Sequence, residues 1–402
     1  MLSKVKPVIL TFTAFYLPGY RGGGPIRSIA NMVARLSDDF QFLVVTSDRD
    51  LHDQQPYDSV NVDSWNEVGE AKVFYASPTM RTLRGITRLL RETEYDVIYL
   101  NSFFDKIYTL TPIFALKLRL APQKSTIVAP RGEFSEGAFK LKWWKKFPFT
   151  RLAVQMGLYR GVIWHASTEF ERSDIVRIIG SSDSNIAVAG NVAVAPDLLQ
   201  LENVALLDEL NAHVSGSGIL RVCFLSRLSP KKNLDFALRV LAHVSARVEF
   251  TIYGPNEDPN YWQLCQELIE QLPSNIKVIY AGSVPNEQVI GNLRKHDLFF
   301  LPTRGENFGH VFLEAWSAGL VVLVSDQTPW RDLASQQLGW DVSLDSPDEF
   351  VRVLELAAKF DYEQWRQMSL CCKRFAHEQA LGSEAIALNK QLFSIALGRT
   401  TG

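Results

Sequence analysis

The chain has 402 residues, of which 47 % are hydrophobic and 21 % are charged; these proportions exclude a disordered or fibrous protein. The formal net charge is −2, so the protein lacks the overall positive charge that attracts nucleic acid. Its four cysteines do not form a disulfide framework, which favours a reducing, cytoplasmic setting. At about 100–200 residues per domain, the length predicts two or three domains.

The N-terminal stretch resembles a signal peptide, since Lys4 and Lys6 precede the apolar run Pro7–Leu17. No small-residue cleavage site follows, and the run leads instead into three glycines, Gly22–Gly24. We therefore predict a buried first strand and a glycine loop that lets backbone approach a ligand. The helix predicted after the loop spans Ile26–Leu36.

Short apolar runs alternate with helical patterns along the whole chain. In the first half, strands are predicted at Val8–Phe12, Gln41–Thr46, Lys72–Ala76, Asp96–Leu100, Thr126–Ala129, Val162–Ala166 and Ile186–Ala189. In the second half, they are predicted at Leu220–Leu225, Val248–Tyr253, Lys277–Ala281, Leu298–Leu301, Leu320–Val324 and Asp341–Leu344. Most of these runs are apolar throughout, which is typical of strands buried on both faces of a parallel sheet.

This alternation predicts an α/β protein with doubly wound parallel sheets. The strands are too many for one open sheet, so we predict two domains. The predicted boundary region is Gly190–Gly218, which ends in a flexible Ser-Gly-Ser-Gly sequence. We therefore predict an N-terminal domain at 1–200 and a C-terminal domain at 201–382. A further helical pattern covers about 383–402.

The first domain carries an Asp-x-Asp sequence, Asp48-Arg49-Asp50, after its second strand. This spacing can bind a metal ion, but no phosphate loop lies beside it, and we interpret it as a polar strand-end turn. No zinc spacing and no Walker loop occur in the sequence.

The first domain also carries a basic segment interleaved with aromatic residues. Between Lys117 and Arg151 there are nine basic and two acidic residues. Its centre comprises Lys140, Lys142, Trp143, Trp144, Lys145 and Lys146. Such a pattern predicts contact with an anionic membrane surface; the alternative is a solvated face with buried tryptophans.

In the second domain, two loops follow predicted strands and precede helices. Arg227 and Lys232 lie on the first loop, where both can neutralise one pyrophosphate. Glu306 lies on the second loop and Glu314 in the helix after it; one carboxylate can hold sugar hydroxyls and the other can reach a ribose. The backbone N–H groups at 308–311 are predicted to lie at a helix N-terminus, a position that favours the binding of phosphate.

Together these motifs resemble the family 4 retaining glycosyltransferases of the GT-B fold, over most of residues 220–330. The resemblance implies two Rossmann-like domains facing a cleft, with the C-terminal domain binding a nucleotide-sugar and the N-terminal domain, onto which the final helix packs, binding the acceptor. It implies catalytic roles for Arg227, Lys232, Glu306 and His165. The implied donor-binding residues are Gly23, Gly24, Asn307, Phe308, Gly309, His310 and Glu314.

Arg131 lies in a Pro-Arg-Gly segment similar to those of family members that build bacterial surface polysaccharides, which implies acceptor recognition. The resemblance therefore implies sugar transfer with retention, without a metal ion or another cofactor. The implied acceptor is a glycan or lipid-linked saccharide on the cytoplasmic side of the cell membrane. Two alternatives remain open at this point: a UDP-sugar 2-epimerase with the same two-domain layout, and a non-catalytic protein that binds a nucleotide-sugar.

Overall fold

A computed structural model of the chain describes residues 5–140, 143–179, 192–194, 218–285 and 288–398. For residues 136, 140, 192–194 and 381 it describes the backbone alone. The chain divides into two compact units. Unit 1 comprises Met1–Leu199 with Gly382–Gly402, and unit 2 comprises Gln200–Leu381.

Among its described residues, unit 1 contains one sheet of eight strands in the order β3-β4-β2-β1-β5-β6-β7-β8. The strands are β1 (Val8–Phe12), β2 (Gln41–Ser47), β3 (Trp65–Val68), β4 (Ala71–Ala76), β5 (Val97–Asn101), β6 (Ser125–Ala129), β7 (Ile163–Ala166) and β8 (Val192–Val194). The helices between them are α1 (Gly24–Leu36), α2 (Leu83–Glu92), a π-helical turn (Lys106–Leu110), α3 (Thr111–Lys117), α4 (Glu136–Lys140), α5 (Trp143–Gln155) and α6 (Glu169–Ile179).

Unit 2 contains a sheet of six parallel strands in the order β11-β10-β9-β12-β13-β14. The strands are β9 (Ile219–Leu225), β10 (Arg247–Tyr253), β11 (Ile276–Gly282), β12 (Leu298–Leu301), β13 (Val321–Ser325) and β14 (Gly339–Val342). The helices are α7 (Leu234–Leu241), α8 (Pro259–Glu270), α9 (Val289–Leu293), α10 (His310–Ser317), α11 (Pro347–Ala357) and α12 (Tyr362–Leu381), and the chain then returns to unit 1 as α13 (Ser383–Ala396).

The core of unit 1 lies on both faces of its sheet because successive residues of each strand point to opposite faces. Leu10 and Phe12 pack into one apolar cluster, whereas Ile9 packs into the other. Leu392 and Phe393 of α13 are fully buried in the second cluster. The terminal helix is therefore part of the unit 1 core.

The strand order in unit 2 places the N-terminal strand β9 beside β12, which is the point where the direction of winding reverses. Ligands of doubly wound proteins bind outside the carboxyl ends of the strands at such a switch point. The register pairs Leu298 with Val222 and Phe299 with Cys223. The loops that follow Leu225 and Leu301 therefore leave the same edge of the sheet side by side.

Both units have the predicted α/β architecture with doubly wound sheets, and two strands, at 8–12 and 298–301, have the predicted bounds. Strand β3 was not predicted: it pairs antiparallel with β4 at the sheet edge, where its alternating exposure breaks the continuous apolar pattern. The last predicted strand, Asp341–Leu344, is wrong by two residues, since β14 begins at Gly339. The predicted strand Ile186–Ala189 lies outside the described residues.

No helix among the described residues is both long enough and apolar enough to cross a lipid bilayer.

Candidate active site

The loops after β9 and β12 are joined to each other by hydrogen bonds at the switch point of unit 2. The Arg304 backbone N–H donates to the Lys231 carbonyl at 2.8 Å. Asn233 is buried in a left-handed conformation (φ 63°), and its Nδ2 donates to the Pro302 carbonyl at 2.9 Å. Arg304 Nε in turn donates to Asn233 Oδ1 at 2.9 Å. These hydrogen bonds fix the two loops, and the sequence motifs that they carry, against each other.

Lys232 and Glu306, which are 74 positions apart in the chain, form an ion pair in this structure. Their side chains are only 13 % and 11 % exposed, so the pair is shielded from bulk water and its mutual attraction is strong. Thr303 Oγ1 also donates to the Glu306 carboxylate, at 3.3 Å. Burial raises the pKa of Glu306, but the charges of Lys232 and Lys231 and the hydrogen bonds from Lys232 and Thr303 outweigh it, so the pKa lies below its ordinary value.

Arg227 lies on the same loop as Lys232 and is 42 % exposed. Its Nη1 is 3.3 Å from Oε1 of Glu257, a residue in the loop after β10 that the sequence analysis missed. The close approach of these loops requires glycine at position 254, where φ is 135° and a Cβ atom would lie 1.9 Å from the Ser226 carbonyl oxygen. The sequence signal that could have identified Glu257 is a carboxylate in the loop after β10, the strand that pairs in parallel with β9.

Gly309 is the N-cap of α10 and has φ 78°, a conformation that a glycine adopts without strain. It offers no side-chain acceptor to the first-turn N–H groups of the helix. The positive end of the helix dipole therefore faces this loop and favours an anion. Gly319 ends the helix as predicted: its N–H donates to the Trp316 carbonyl, and Leu320 N–H donates to Ala315.

The other residues predicted around this helix start occupy different environments. Asn307 and Phe308 are half-buried in the loop, and Glu314 is half-buried within α10. His310 is buried, with its ring 5.0 Å from the ring of Phe308 in an edge-on arrangement. Lys232 and Glu306 are thus in contact, while the predicted donor contacts of the remaining residues stay predictions.

In unit 1, His165 and Arg131 are joined through Tyr99, which the sequence analysis missed. Tyr99 Oη lies 2.7 Å from Nδ1 of His165, and Arg131 Nη2 donates to the same oxygen at 2.8 Å. Arg131 Nε also donates to Asn101 Oδ1 at 3.0 Å. Asn101, Arg131 and His165 lie at or just beyond the carboxyl ends of β5, β6 and β7, the edge at which doubly wound sheets bind ligands. Tyr99 lies within β5 and links Arg131 to His165.

The glycine loop after β1 is held by the second aspartate of the Asp-x-Asp sequence. The Asp50 carboxylate accepts the backbone N–H groups of Tyr20 at 2.9 Å and Arg21 at 3.1 Å. Gly23 has φ 75° and is the N-cap of α1, whose first residue is Gly24. The predicted contact of these two glycines with a donor remains a prediction.

The first aspartate of that sequence, Asp48, is buried between two arginines. Arg49 binds its two carboxylate oxygens at 2.8 Å each, and Arg81 binds one of them at 3.2 Å. Among the described residues, no group of three or more His, Cys, Asp or Glu side chains is arranged to hold a metal ion.

The basic aromatic segment includes α5, where Trp143 and Trp144 are 58 % and 61 % exposed. The alternative of buried tryptophans is therefore wrong. Lys145 Nζ lies 4.7 Å above the ring of Trp144, whereas Lys146 donates to the Ala138 carbonyl at 2.7 Å. Lys142 and the side chain of Lys140 lie outside the described residues.

Residues 210–367 match the protein family described as Glycosyl transferases group 1. The protein is a glycosyltransferase. The matched residues include the described strands and the site loops of unit 2. The transferase is also 31 % identical over 109 residues to a GDP-mannose-dependent alpha-(1-6)-phosphatidylinositol monomannoside mannosyltransferase of Mycolicibacterium smegmatis, a match that covers 25 % of this chain and 28 % of the relative. These relationships do not favour the epimerase or the non-catalytic alternative.

A longer match pairs this glycosyltransferase with an uncharacterized 41.2 kDa protein in the cps region of Klebsiella pneumoniae. The two are 23 % identical over 311 residues, which cover 77 % of this chain and 81 % of the relative.

Solved structures with the GT-B fold resemble the glycosyltransferase over nearly its whole length. Anabaena HepE in complex with UDP and glucose has a TM-score of 0.66 at 15 % identity and covers 97 % of this chain and 99 % of its own. WaaG, a glycosyltransferase involved in lipopolysaccharide biosynthesis, has a TM-score of 0.62 at 15 % identity, covering 97 % and 100 %. At these identities the likeness demonstrates the fold, and the glycosyltransferase has the GT-B fold.

Proposed function

We propose that the protein is a retaining, family 4 glycosyltransferase that moves a sugar from a nucleotide-sugar to a glycan or lipid-linked saccharide. The observation that carries this proposal is the buried pair of Lys232 and Glu306 at the switch point of unit 2. In this proposal the cation and the helix N-terminus bind the diphosphate of the donor, and the carboxylate binds hydroxyl groups of its sugar.

In this proposal the donor diphosphate takes Lys232 and Arg227 as partners. Both cations are paired with carboxylates in this structure, Lys232 with Glu306 and Arg227 with Glu257. A diphosphate carries more charge than either carboxylate and attracts both side chains. Glu306, once released from Lys232, is an acceptor for hydroxyl groups of the transferred sugar, and Glu314 is proposed to bind the ribose.

The transfer is proposed to occur on the front face of the sugar. The acceptor hydroxyl oxygen bonds to the anomeric carbon on the side from which the diphosphate leaves. The bond between the anomeric carbon and the phosphate oxygen breaks with its electron pair on the phosphate, and that oxygen takes the hydroxyl proton. Arg227, Lys232 and the dipole of α10 stabilise the charge on the leaving group. These groups supply the positive charge, so we propose that the reaction needs no metal ion or other cofactor.

The acceptor is proposed to bind unit 1 through Arg131 and His165. Both side chains lie at the carboxyl edge of the sheet, where their polar atoms are held through Tyr99. The similar proteins support a role in bacterial polysaccharide synthesis, since one lies in a cps region and WaaG is involved in lipopolysaccharide biosynthesis. We therefore propose O-antigen, capsule or exopolysaccharide as the product class.

We also propose that the exposed face of α5 contacts the anionic inner surface of the cell membrane. Trp143 and Trp144 expose ring surface that suits the headgroup region, and lysines lie beside them. Of the two acidic residues of the segment, Glu133 is half-buried and accepts from Ser102 Oγ at 2.8 Å. The proposed location is therefore cytoplasmic and peripheral to the membrane.

The proposal is tested by thermal-shift and hydrolysis assays of the purified protein with UDP-, GDP- and ADP-sugars, with and without magnesium. Stabilisation by one nucleotide, together with slow release of its diphosphate without metal, is the expected result and identifies the base. If no nucleotide stabilises the protein, with or without anionic liposomes, the proposal is wrong. Retention is then tested by determining the anomeric configuration of the product by NMR.

A further inference from the structure

The segment that follows β13, residues 325–330, contacts the donor loop, residues 303–309, at three points. Ser325 Oγ donates to the Thr303 carbonyl. Glu306 N–H donates to the Gln327 carbonyl at 2.9 Å. Trp330 Nε1 donates to the Phe308 carbonyl at 2.7 Å. We call residues 325–330 the backing segment.

These contacts determine where the opposite side of the loop points, because the carbonyl of one residue and the N–H of the next point in opposite directions across a trans peptide. The relation is visible at Thr303: its carbonyl accepts from Ser325, and the next N–H, that of Arg304, donates to Lys231 on the β9 loop at 2.8 Å. At Phe308 the carbonyl is held by Trp330. The Gly309 N–H is therefore directed away from the backing segment.

Gly309 lies beside the candidate site. A Cβ atom built on it would be 3.7 Å from the Cβ atom of Glu306, so its backbone lies beside the residue that pairs with Lys232. The indole of Trp330 is itself held in an aromatic cluster, with ring centroids 5.5 Å from Phe308, 5.0 Å from Trp316 and 5.9 Å from Phe375. The Trp330 N–H is thus a rigid donor rather than a mobile surface group.

We propose that Trp330 is a positioning residue that aims the Gly309 N–H at the donor diphosphate. The proposal rests on the proposed function, because it assigns the anion to the diphosphate of a nucleotide. Trp330 does not touch the donor in this arrangement: it acts through the Phe308–Gly309 peptide. Without its hydrogen bond, this peptide can rotate and the helix start loses a preorganised donor.

Trp330→Phe tests the proposal because it keeps an aromatic ring in the cluster and removes only the indole donor and part of the ring surface. Trp316→Phe is the matched control: Trp316 lies in the same cluster, and its Nε1 donates at 2.9 Å to the Leu338 carbonyl, outside the donor loop. Ser325→Ala removes a second contact of the backing segment with a smaller change in packing.

The first readout needs no ligand. Amide hydrogen exchange across residues 303–312 is expected to be faster in Trp330→Phe than in Trp316→Phe at matched thermal stability. Equal exchange in the two variants would overturn the proposal, whether or not the protein binds nucleotides. Should Trp330→Phe fail to fold, Trp330→Leu takes its place, since it also keeps an apolar side chain and removes the indole donor; equal exchange in Trp330→Leu and Trp316→Phe would again overturn the proposal.

The second readout is the Kd for UDP, GDP and ADP, measured separately by calorimetry. For the nucleotide that the wild-type protein binds, Trp330→Phe is expected to raise the Kd about tenfold, the effect of one charge-assisted hydrogen bond, while Trp316→Phe leaves it within about twofold. Equal Kd values for the two variants would overturn the positioning role. Binding of none of the three by the wild-type protein would instead overturn the proposed function on which this role rests.

Discussion

Tyr99 Oη lies 2.7 Å from Nδ1 of His165, deep in unit 1. The same oxygen accepts a hydrogen bond from Arg131 Nη2 at 2.8 Å. A guanidinium group can only donate, so the hydroxyl hydrogen of Tyr99 is available for His165 Nδ1. We therefore expect Nδ1 to accept this hydrogen, which places the imidazole proton on Nε2 and makes Nε2 a hydrogen-bond donor.

The tautomer of His165 is therefore a testable prediction. In ¹⁵N-histidine-labelled protein, Nδ1 of His165 is expected to give a pyridine-type signal and Nε2 a pyrrole-type signal. Tyr99→Phe removes the donor and should shift the ring towards a mixture of tautomers. Tyr159→Phe is the control, since that hydroxyl donates to the Phe103 carbonyl instead. A proton on Nδ1 of the wild-type ring would contradict the hydrogen-bond assignment.

Replacing Lys232 with Ala is expected to lower turnover at least about tenfold, because a cation that stabilises the leaving diphosphate is lost. The variant should remain folded, as judged by circular dichroism and thermal unfolding. Lys277→Ala removes a lysine of the same unit that pairs at the surface with Glu249 at 2.8 Å, and it should keep wild-type turnover. Unchanged turnover in folded Lys232→Ala would refute the assigned role.

The Lys232–Glu306 pair also predicts a pH dependence of stability. The pKa of Glu306 is lower in the folded protein than its ordinary value, so the unfolded state binds the proton more readily and the stabilisation is lost as pH falls. At pH 7, Glu306→Gln is expected to lower the free energy of unfolding by about 1–3 kcal/mol, since it leaves Lys232 buried without a counter-charge.

Urea denaturation at several pH values measures this difference. The difference in the free energy of unfolding between wild type and Glu306→Gln should be constant near neutral pH, because Glu306 is ionised there in both the folded and the unfolded state. It should narrow as the pH is lowered past the ordinary glutamate value and through the depressed folded-state pKa. A gap that widens on acidification would mean that the pKa of Glu306 is raised rather than lowered.

Chelation is expected to leave sugar transfer unchanged. The carboxylate of Asp48 is bound by Arg49 and Arg81, and that of Asp50 accepts backbone N–H groups of the glycine loop, so the Asp-x-Asp sequence serves structure. Transfer rates with EDTA and with added magnesium should agree within error. Asp50→Asn should instead lower stability by about 1–3 kcal/mol, and rescue of chelated enzyme by a metal would contradict the proposal.

The exposed tryptophans predict binding to anionic vesicles. Wild-type protein should sediment with vesicles that contain phosphatidylglycerol but not with pure phosphatidylcholine, and added salt should weaken the binding by screening. The double substitution of Trp143 and Trp144 by Ala should abolish most of this binding. Tyr362→Ala, which removes an exposed ring of unit 2, is the control. Equal sedimentation of the double variant and wild type would remove the membrane assignment from this face.

The sequence alone determined the fold class and the residue types of the candidate site. Buried parallel strands are continuous apolar runs, and for that reason β1 and β12 were predicted with their bounds. The glycines at 309 and 319 could be assigned to helix ends because their conformations are costly for other residues. The edge strand β3 was not predicted, since it has only four residues and these alternate between exposed and half-buried, which gives a weak pattern in the sequence.

Only the tertiary structure decided which side chains meet. The contact between Lys232 and Glu306 depends on the register of β9 against β12, and the partners Glu257, Tyr99 and Trp330 come from other strands and loops. The pattern of apolar residues in the sequence shows which side of a single strand or helix is buried, but it does not show which other element lies against that side. Contacts across the sheet depend instead on strand order and crossover connections, which bring together residues far apart in the chain.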